Sequence, residues 1–240
     1  MRKGKRKPNE LRPVKITVRP VKYPAGSALI EVGDTKVLCA ASIQEDVPKF
    51  LAGKGTGWVT AEYSMLPAST NTRNQRERGG KISGRTQEIQ RLIGRSLRAV
   101  VDFSLLGERT IMIDCDVLQA DGGTRTASIT GAYVALKMAA ENLVRKKLVK
   151  KNPVTGQVAA VSAGIIGKTI FLDLDYDEDS TADVDMNLVM TGDGKIVEIQ
   201  ATGERENFSR SELIKLIGVA EKGINKLFEF QSKVLKTAKR

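Results

Sequence analysis

The chain contains no histidine, and only two cysteines occur among its 240 residues. The absence of histidine excludes His–Ser and His–Cys nucleophilic catalysis and every histidine-ligated metal site. Cys39 and Cys115 each lie in an apolar stretch, which favours a pair of buried thiols over a disulfide or a zinc site. The chemistry must therefore use carboxylates, arginine, lysine, hydroxyl groups, backbone amides and hard cations.

Long apolar runs and aromatic side chains are also scarce. The sequence has no run of about 18 apolar residues, and its basic N-terminus is not followed by the apolar core of a secretory leader. We therefore expect a cytoplasmic protein with no membrane partner. Phenylalanine, tryptophan and tyrosine make up 5% of the residues, so base stacking should matter less than backbone contacts in any nucleic-acid complex.

Positive charge, by contrast, is in excess. Lysine and arginine total 39 against 28 aspartate and glutamate residues, which gives a formal net charge of +11. Such an excess is typical of proteins that bind nucleic acid, because neutralising phosphates releases counterions. It is equally compatible with a basic surface that only aids solubility. Composition alone leaves both interpretations open.

The hydrophobic pattern predicts an α+β fold in which strands precede helices twice. No break in composition separates the two stretches, so we predict one domain over residues 1–240 with two similar halves, at about 10–147 and 156–235. Ser209 and Glu212 predict a capping box at the start of a C-terminal helix. The predicted strands cover residues 14–18, 27–32, 35–41, 58–63, 110–118, 158–166, 169–174, 185–190 and 195–200.

A glycine-rich segment, Gly122-Gly123-Thr124-Arg125-Thr126, lies between a predicted strand and a predicted helix. Glycines let the backbone approach a ligand, and free amides at a helix start favour an anion. Thr124 adds a hydroxyl group, and Arg125 adds a guanidinium that can bind phosphate through two hydrogen bonds. The alternative is an ordinary turn with Thr126 as the helix cap. Ser83-Gly84-Arg85-Thr86 repeats the pattern before the first helix, so Arg85 and Arg125 could contact one phosphate.

A dense acidic segment, residues 173–185, stands out in this basic chain. Carboxylates this close repel one another, so something should offset their charge. Mg²⁺ is one candidate, since one or two carboxylates plus phosphate and water suffice to hold it. The alternatives are a solvated acidic loop or carboxylates paired with arginines. The spacing lacks the glycine and the terminal glutamate of an EF-hand, which argues against a calcium site.

Residues 67–85 form a polar, basic stretch without hydrophobic periodicity, which predicts an exposed loop. Its arginines Arg73, Arg76 and Arg78 are candidates for contact with an RNA backbone. A basic surface loop with no ligand is the competing interpretation.

Several long motifs resemble the ribonuclease PH family, the bacterial phosphorolytic enzymes that trim tRNA. The similarity runs nearly from end to end of the chain. The segments that carry it are Leu11–Val14, Gly33–Cys39, Gly57–Pro67, Ser83–Arg98, Leu118–Arg125, Leu172–Ser180 and Val184–Asn187.

The resemblance implies a fold of duplicated β-α-β-α halves, like domain 2 of ribosomal protein S5, and a homohexamer built as a trimer of dimers. It implies that Arg85, Gly123, Thr124 and Arg125 bind inorganic phosphate as a co-substrate, with Arg85 and Arg125 also serving catalysis. Asp179 and Asp185 become the catalytic acidic pair and the Mg²⁺ ligands. The implied reaction removes 3′-terminal nucleotides from tRNA precursors and other RNA 3′ ends as nucleoside diphosphates.

The chain departs from the family pattern at three places. Ala68 and Asn71 stand where the family usually has arginine and histidine, and Ala201–Arg205 replaces a Gly-Thr-Ala-Glu-Gly run. The C-terminal tail is also short. A non-catalytic RNA-binding ring subunit and a hydrolytic two-metal nuclease are the rival functions. The first would typically lack the arginines or the acidic pair, and the second would need more converging carboxylates.

Overall fold

The computed structural model describes residues 2–77 and 82–238, so Arg78 of the basic loop lies outside the described residues. The first half of the chain forms a five-stranded sheet in the order β1-β2-β3-β5-β4. All neighbouring strands are antiparallel except β4 and β5, which are parallel. The strands β1 to β5 span Val14–Val18, Gly26–Val32, Thr35–Gln44, Trp58–Met65 and Thr110–Gln119.

The second half forms an antiparallel four-stranded sheet in the order β7-β6-β8-β9. Its strands β6 to β9 span Val158–Ile166, Thr169–Leu172, Val184–Thr191 and Ile196–Gly203. Every residue of β6 except the last is buried, because one helix from each half of the chain packs against this strand.

In the described part of the chain, five α-helices pack around the two sheets. Helix α3 contacts strands of both, and most of its side chains are buried, which explains why its hydrophobic residues do not form one narrow stripe. The larger apolar core includes residues from each half, so the halves share buried surface. Helices α1 to α5 span Gly84–Arg98, Phe103–Leu106, Thr124–Arg145, Tyr176–Thr181 and Arg210–Ala238.

The α+β class and the succession of strands and helices predicted from the sequence are confirmed. The predicted capping box is present. Ser209 Oγ accepts a hydrogen bond from the Glu212 amide, and the Glu212 carboxylate accepts one from the Ser209 amide. Cys39 and Cys115 are free, buried thiols that face each other across β3 and β5. Two short helices, α2 and α4, were not predicted, and α4 occupies the middle of the acidic segment.

None of the helices in the described part of the chain is both long enough and apolar enough to span a membrane.

Candidate active site

The parallel pairing of β4 and β5 brings two loops together at one end of these strands. Both strands have their carboxyl ends there, so the loop after β4 and the glycine-rich loop after β5 lie side by side. Backbone hydrogen bonds join them, from the Leu66 amide to the Val117 carbonyl at 2.9 Å and from the Ala120 amide to the Ser69 carbonyl at 2.8 Å. The sheet therefore places the basic segment next to the glycine-rich segment.

The glycine-rich loop turns sharply into helix α3. Gly122 and Gly123 adopt φ angles of 74° and 64°, a left-handed conformation that glycine adopts without strain. A Cβ atom on Gly122 would lie 2.7 Å from the Leu174 carbonyl oxygen, so only glycine lets the loop pack against the acidic segment. Helix α3 begins at Thr124, whose Oγ1 lies 2.9 Å from the hydroxyl oxygen of buried Tyr63. The Thr124 hydroxyl group therefore lies beside the first amides of a 22-residue helix, at the positive end of its dipole.

Two arginines from separate helix starts line the same cavity as this loop. Arg85 lies in the first turn of α1, which Ser83 caps by accepting the Thr86 amide at 3.2 Å. Arg125 lies in the first turn of α3, and its Nη1 donates to Gln200 Oε1 at 2.9 Å. The charges of both arginines act on Asp179 and oppose the rise in its pKa. The cavity therefore combines two cations with the start of a long helix, an arrangement suited to a phosphate group.

Two carboxylates, Asp179 on helix α4 and Asp185 at the start of β8, face these cations across the cavity. Burial raises the pKa of Asp185 to about 6, and the neighbouring Asp179 charge adds to the effect. Asp185 Oδ2 accepts a hydrogen bond from Asn187 at 3.3 Å, while its Oδ1 is buried with no hydrogen-bond partner in the described chain. Asp179 is solvent-accessible, yet the surrounding protein removes enough water to raise its pKa as well.

Three other carboxylates of the acidic segment, Asp173, Asp175 and Glu178, contact arginines from the N-terminal stretch. Arg2 Nε donates to Glu178 Oε1 at 2.6 Å, and Arg6 Nη2 lies 3.3 Å from Glu178 Oε2. Arg12 pairs with Asp173 at 2.7 Å, and Asp175 caps helix α4 in a capping box with Glu178. The sequence left open whether this segment is a solvated loop, a metal site or a set of arginine partners. Arginines offset part of its charge, and Asp179 and Asp185 remain at the cavity.

The cavity has a volume of about 910 Å³ and is lined by residues from both halves of the chain. Thr70, Asn74, Gln75 and Glu77 of the basic loop form part of its wall. Arg73 and Arg76 of the same loop are exposed to solvent, and Arg76 is close enough to Asp116 to oppose the rise in the pKa of that carboxyl group. The wall residues of this loop are therefore mainly polar rather than cationic.

The carboxylates of this cavity suit a hard cation that also binds phosphate. The described residues contain no cluster of three or more His, Cys, Asp or Glu side chains that could hold a metal by themselves. Mg²⁺, however, needs only one or two carboxylates when phosphate and water complete its coordination. The unpaired, buried Oδ1 of Asp185 beside Asp179 is a suitable ligand atom, so the residues present fit such an ion.

Several residues at the site were not singled out from the sequence. Tyr63 contacts Thr124, Gln200 holds Arg125, and Arg12 contacts the glycine-rich loop from behind. Asn187 could have been found, because alternation along a strand puts it on the same face as Asp185. The contacts of Arg12 and Gln200 join residues at least 75 positions apart, so no local pattern reveals them.

The residues that differ from the family pattern lie in two places. Residues of the 201–205 segment lie at the cavity, and those of the basic loop lie on the surface. Glu204 and Arg205 line the cavity, and Arg205 Nη2 donates to the Ser180 carbonyl at 3.1 Å, at the end of helix α4. Ala68 and Asn71 are exposed.

Both halves match models of one protein family. Residues 10–140 match domain 1 and residues 156–223 match domain 2 of the 3′ exoribonuclease family. The chain is 57% identical over 237 residues to ribonuclease PH of Bacillus subtilis (strain 168), covering 98% of this chain and 97% of that protein. It is 60% identical over 228 residues to ribonuclease PH of Syntrophomonas wolfei, covering 95% of each.

Solved structures share the fold at lower identity. Rrp46 of rice (Oryza sativa) aligns with a TM-score of 0.78 at 19% identity, covering 97% of this chain and 98% of that one. A chain of the Archaeoglobus fulgidus exosome, solved with RNA bound to the active site, aligns with a TM-score of 0.79 at 24% identity, covering 93% and 90%. The two family models cover most of the sequence, and the relatives match over nearly their whole length. The chain therefore belongs to the ribonuclease PH family, the phosphorolytic 3′→5′ exoribonucleases that also act as tRNA nucleotidyltransferases.

Proposed function

We propose that this protein trims the 3′ ends of tRNA precursors, and of other RNAs, with inorganic phosphate as co-substrate. A phosphate oxygen attacks the phosphorus of the terminal phosphodiester, and the bond from that phosphorus to the 3′-oxygen of the penultimate nucleotide breaks. The terminal nucleotide leaves as a nucleoside 5′-diphosphate, and the shortened RNA keeps a free 3′-hydroxyl group. The reverse reaction adds a nucleotide from a nucleoside diphosphate.

The attacking phosphate is held in this proposal by Arg85, the Gly123 amide, Thr124 and Arg125. The main support is the single cavity that brings these residues opposite Asp179 and Asp185. Two guanidinium groups balance the charge that accumulates at phosphorus during the displacement. The Tyr63 hydroxyl, 2.9 Å from Thr124 Oγ1, fixes the rotamer of that threonine. Glu88 and Gln200 orient Arg125 through contacts of 3.4 and 2.9 Å.

Asp179 and Asp185 serve as ligands for Mg²⁺ in this proposal. When bound, the ion would neutralise negative charge on the phosphate and leaving-group oxygens. In the alternative that the sequence leaves open, one of the two aspartates instead acts as the acid that donates a proton to the leaving 3′-oxygen. The pKa of about 6 at Asp185 suits proton transfer near neutral pH.

The RNA backbone approaches along the basic loop in this proposal, with Arg73, Arg76 and Arg78 contacting its phosphates. We further propose that the chain acts as one domain of two similar halves in the cytoplasm, assembled as a homohexamer of three dimers. Support for the single domain comes from the core shared by both halves. Support for an assembly of several chains comes from the fold likeness to chains of two archaeal exosomes.

One assay separates the candidate functions. The protein is incubated with Mg²⁺ and a tRNA that carries extra 3′ nucleotides, with and without inorganic phosphate, and the released nucleotides are identified. We expect nucleoside diphosphates only when phosphate is present. Nucleoside monophosphates released without phosphate would indicate a hydrolytic nuclease, and no release under either condition would indicate a non-catalytic ring subunit.

Arg125→Ala should abolish phosphorolysis while leaving RNA binding largely intact, because Arg125 contacts the phosphate rather than the RNA chain. Loss of a charge-assisted contact in a transition state lowers the rate by about 100-fold or more. Arg145→Ala is the matched control, since Arg145 is exposed in the last turn of the same helix, about 30 Å away along its axis. Substantial activity in Arg125→Ala would refute the assignment of this loop.

A further inference from the structure

Behind the glycine-rich loop lies a buried arginine that does not line the active-site cavity. Its side chain is 5% exposed and lies between the loop and the acidic segment. We propose that Arg12 is a positioning residue for phosphorolysis: it fixes the amides of the glycine-rich loop toward the phosphate and joins that loop to helix α4. This inference rests on the proposed function, because it concerns how the same phosphate is bound.

On one side Arg12 binds Asp173 through three hydrogen bonds. Its backbone amide and Nε donate to Asp173 Oδ2 at 2.7 and 3.0 Å, and its Nη2 donates to Oδ1 at 2.7 Å. Asp173 itself adopts a left-handed backbone with φ of 56°, and its amide donates to the Ser162 carbonyl at 2.7 Å. It lies two residues before Asp175, the N-cap of helix α4. The pair therefore fixes the chain where it enters the helix that carries Asp179.

On the other side Arg12 binds the back of the glycine-rich loop. Its Nη1 donates to the Asp121 carbonyl, and both terminal nitrogens lie 3.5 Å from the Gly122 carbonyl. Buried Thr35 supports the same loop. Its Oγ1 donates to the Gly122 carbonyl at 2.7 Å and accepts a hydrogen bond from the Asp121 amide at 2.9 Å. Two side chains thus hold the loop carbonyls from one direction.

The geometry of the peptide bond gives these contacts a consequence for phosphate binding. In a trans peptide the carbonyl and the following amide point in opposite directions. The Gly122 carbonyl shares its peptide with the Gly123 amide, and the Asp121 carbonyl shares its peptide with the Gly122 amide. Because Arg12 and Thr35 hold the carbonyls on the side away from the cavity, both amides point toward the cavity that Gly122 and Gly123 line. Glycine has no side chain to fix this orientation, so neighbours must supply it.

Arg12→Lys and Thr35→Val test this role. Lysine keeps the charge but has one donor nitrogen in place of the three that Arg12 uses, so it cannot reproduce the forked contacts with Asp173 and the loop. Valine keeps the shape of Thr35 without its hydroxyl group. We expect the KM for phosphate to rise about tenfold in Arg12→Lys and a few-fold in Thr35→Val, with the KM for RNA unchanged. Arg98→Lys is the control, since Arg98 also donates to a backbone carbonyl, that of Val59, and stacks on Trp58.

Phosphate binding is also measured by calorimetry without RNA, and thermal unfolding reports on the fold. A purely structural Arg12 would lower the unfolding temperature and the amount of active enzyme but leave the KM and Kd for phosphate unchanged, which overturns the proposal. If Arg12→Lys does not fold, Thr35→Val decides, and an unchanged phosphate KM there overturns it. The proposed function fails separately, if the wild-type protein needs no phosphate for nucleotide release.

Discussion

Five carboxylates of the acidic segment fall into two groups with opposite surroundings. Asp173, Asp175 and Glu178 contact arginines of the N-terminal stretch, whereas Asp179 and Asp185 face the cavity. Burial raises the pKa of Glu178, but the bond from Arg2 and the neighbouring charges bring it below its ordinary value. At Asp185 burial and the Asp179 charge act together and raise the pKa to about 6. One group stabilises the fold, and the other costs stability and is available for chemistry.

The largest expected difference between the two groups is in the catalytic rate when Asp185 is substituted. Asp185→Asn removes the charge without changing the size of the side chain, and we expect the phosphorolytic rate to fall by about 100-fold or more. Asp177→Asn, an exposed carboxylate on the same short helix as Asp179, should leave the rate near that of the wild type. Comparable losses in both variants would mean that overall acidity, not position, matters. Single-turnover rates of nucleoside diphosphate release measure the difference.

A smaller effect, on stability, is expected for the paired group. Glu178→Gln weakens a two-pronged contact with Arg2 and should lower the free energy of unfolding by about 1–3 kcal/mol. Because the folded pKa of Glu178 is lowered, its contribution is present above the unfolded pKa of about 4.3 and is lost as pH falls through the folded value. The gap between wild type and variant should therefore shrink in acid. Denaturant titrations at several pH values test this, and a gap that widens in acid would contradict it.

The unpaired group should show an effect of similar size and opposite sign. Below about pH 4 Asp185 is protonated in both the folded and unfolded states and costs nothing. As pH rises toward the folded pKa of about 6, the unfolded state ionises first and folding loses stability. Asp185→Asn should therefore be more stable than the wild type near pH 7.5, by on the order of 2 kcal/mol, and about equal near pH 4. Thermal unfolding in metal-free buffer decides, and a destabilised variant at pH 7.5 would break the comparison.

The sequence predicted the large elements well, because their hydrophobic patterns are long and regular. Helix α4 was missed for a physical reason: its six residues are mostly acidic and hydroxyl-bearing, so no apolar stripe marks it. It forms because Asp175 and Glu178 make a capping box and because three acidic side chains in its first turn favour the positive end of the helix dipole. Such a helix is stabilised by its ends and neighbours rather than by a buried face.

Some residues of the candidate site are neighbours in the sequence, and others meet only in the folded chain. Gly123, Thr124 and Arg125 are contiguous and belong to a helix start, so the sequence predicts their grouping directly. That Arg12 contacts the same loop could not be predicted, since the bond joins residues 109 positions apart. The role of Arg12 stays a proposal, as do the roles of the other site residues, until the variants are measured. Arg78 lies outside the described residues, and its contact with RNA stays a prediction.

The cavity lies where the two halves of the chain meet, and each half supplies one part of the candidate site. The glycine-rich loop, Arg85 and Arg125 come from before the end of helix α3, and Asp179 and Asp185 come from after it. A fragment with only the first half would keep the proposed phosphate ligands without the Asp179–Asp185 pair, and the complementary fragment would have the reverse. Neither fragment alone would have all the residues that the proposed reaction needs. Substitutions on one side of this boundary are therefore constrained by residues on the other, so the two coding segments are expected to evolve as a unit.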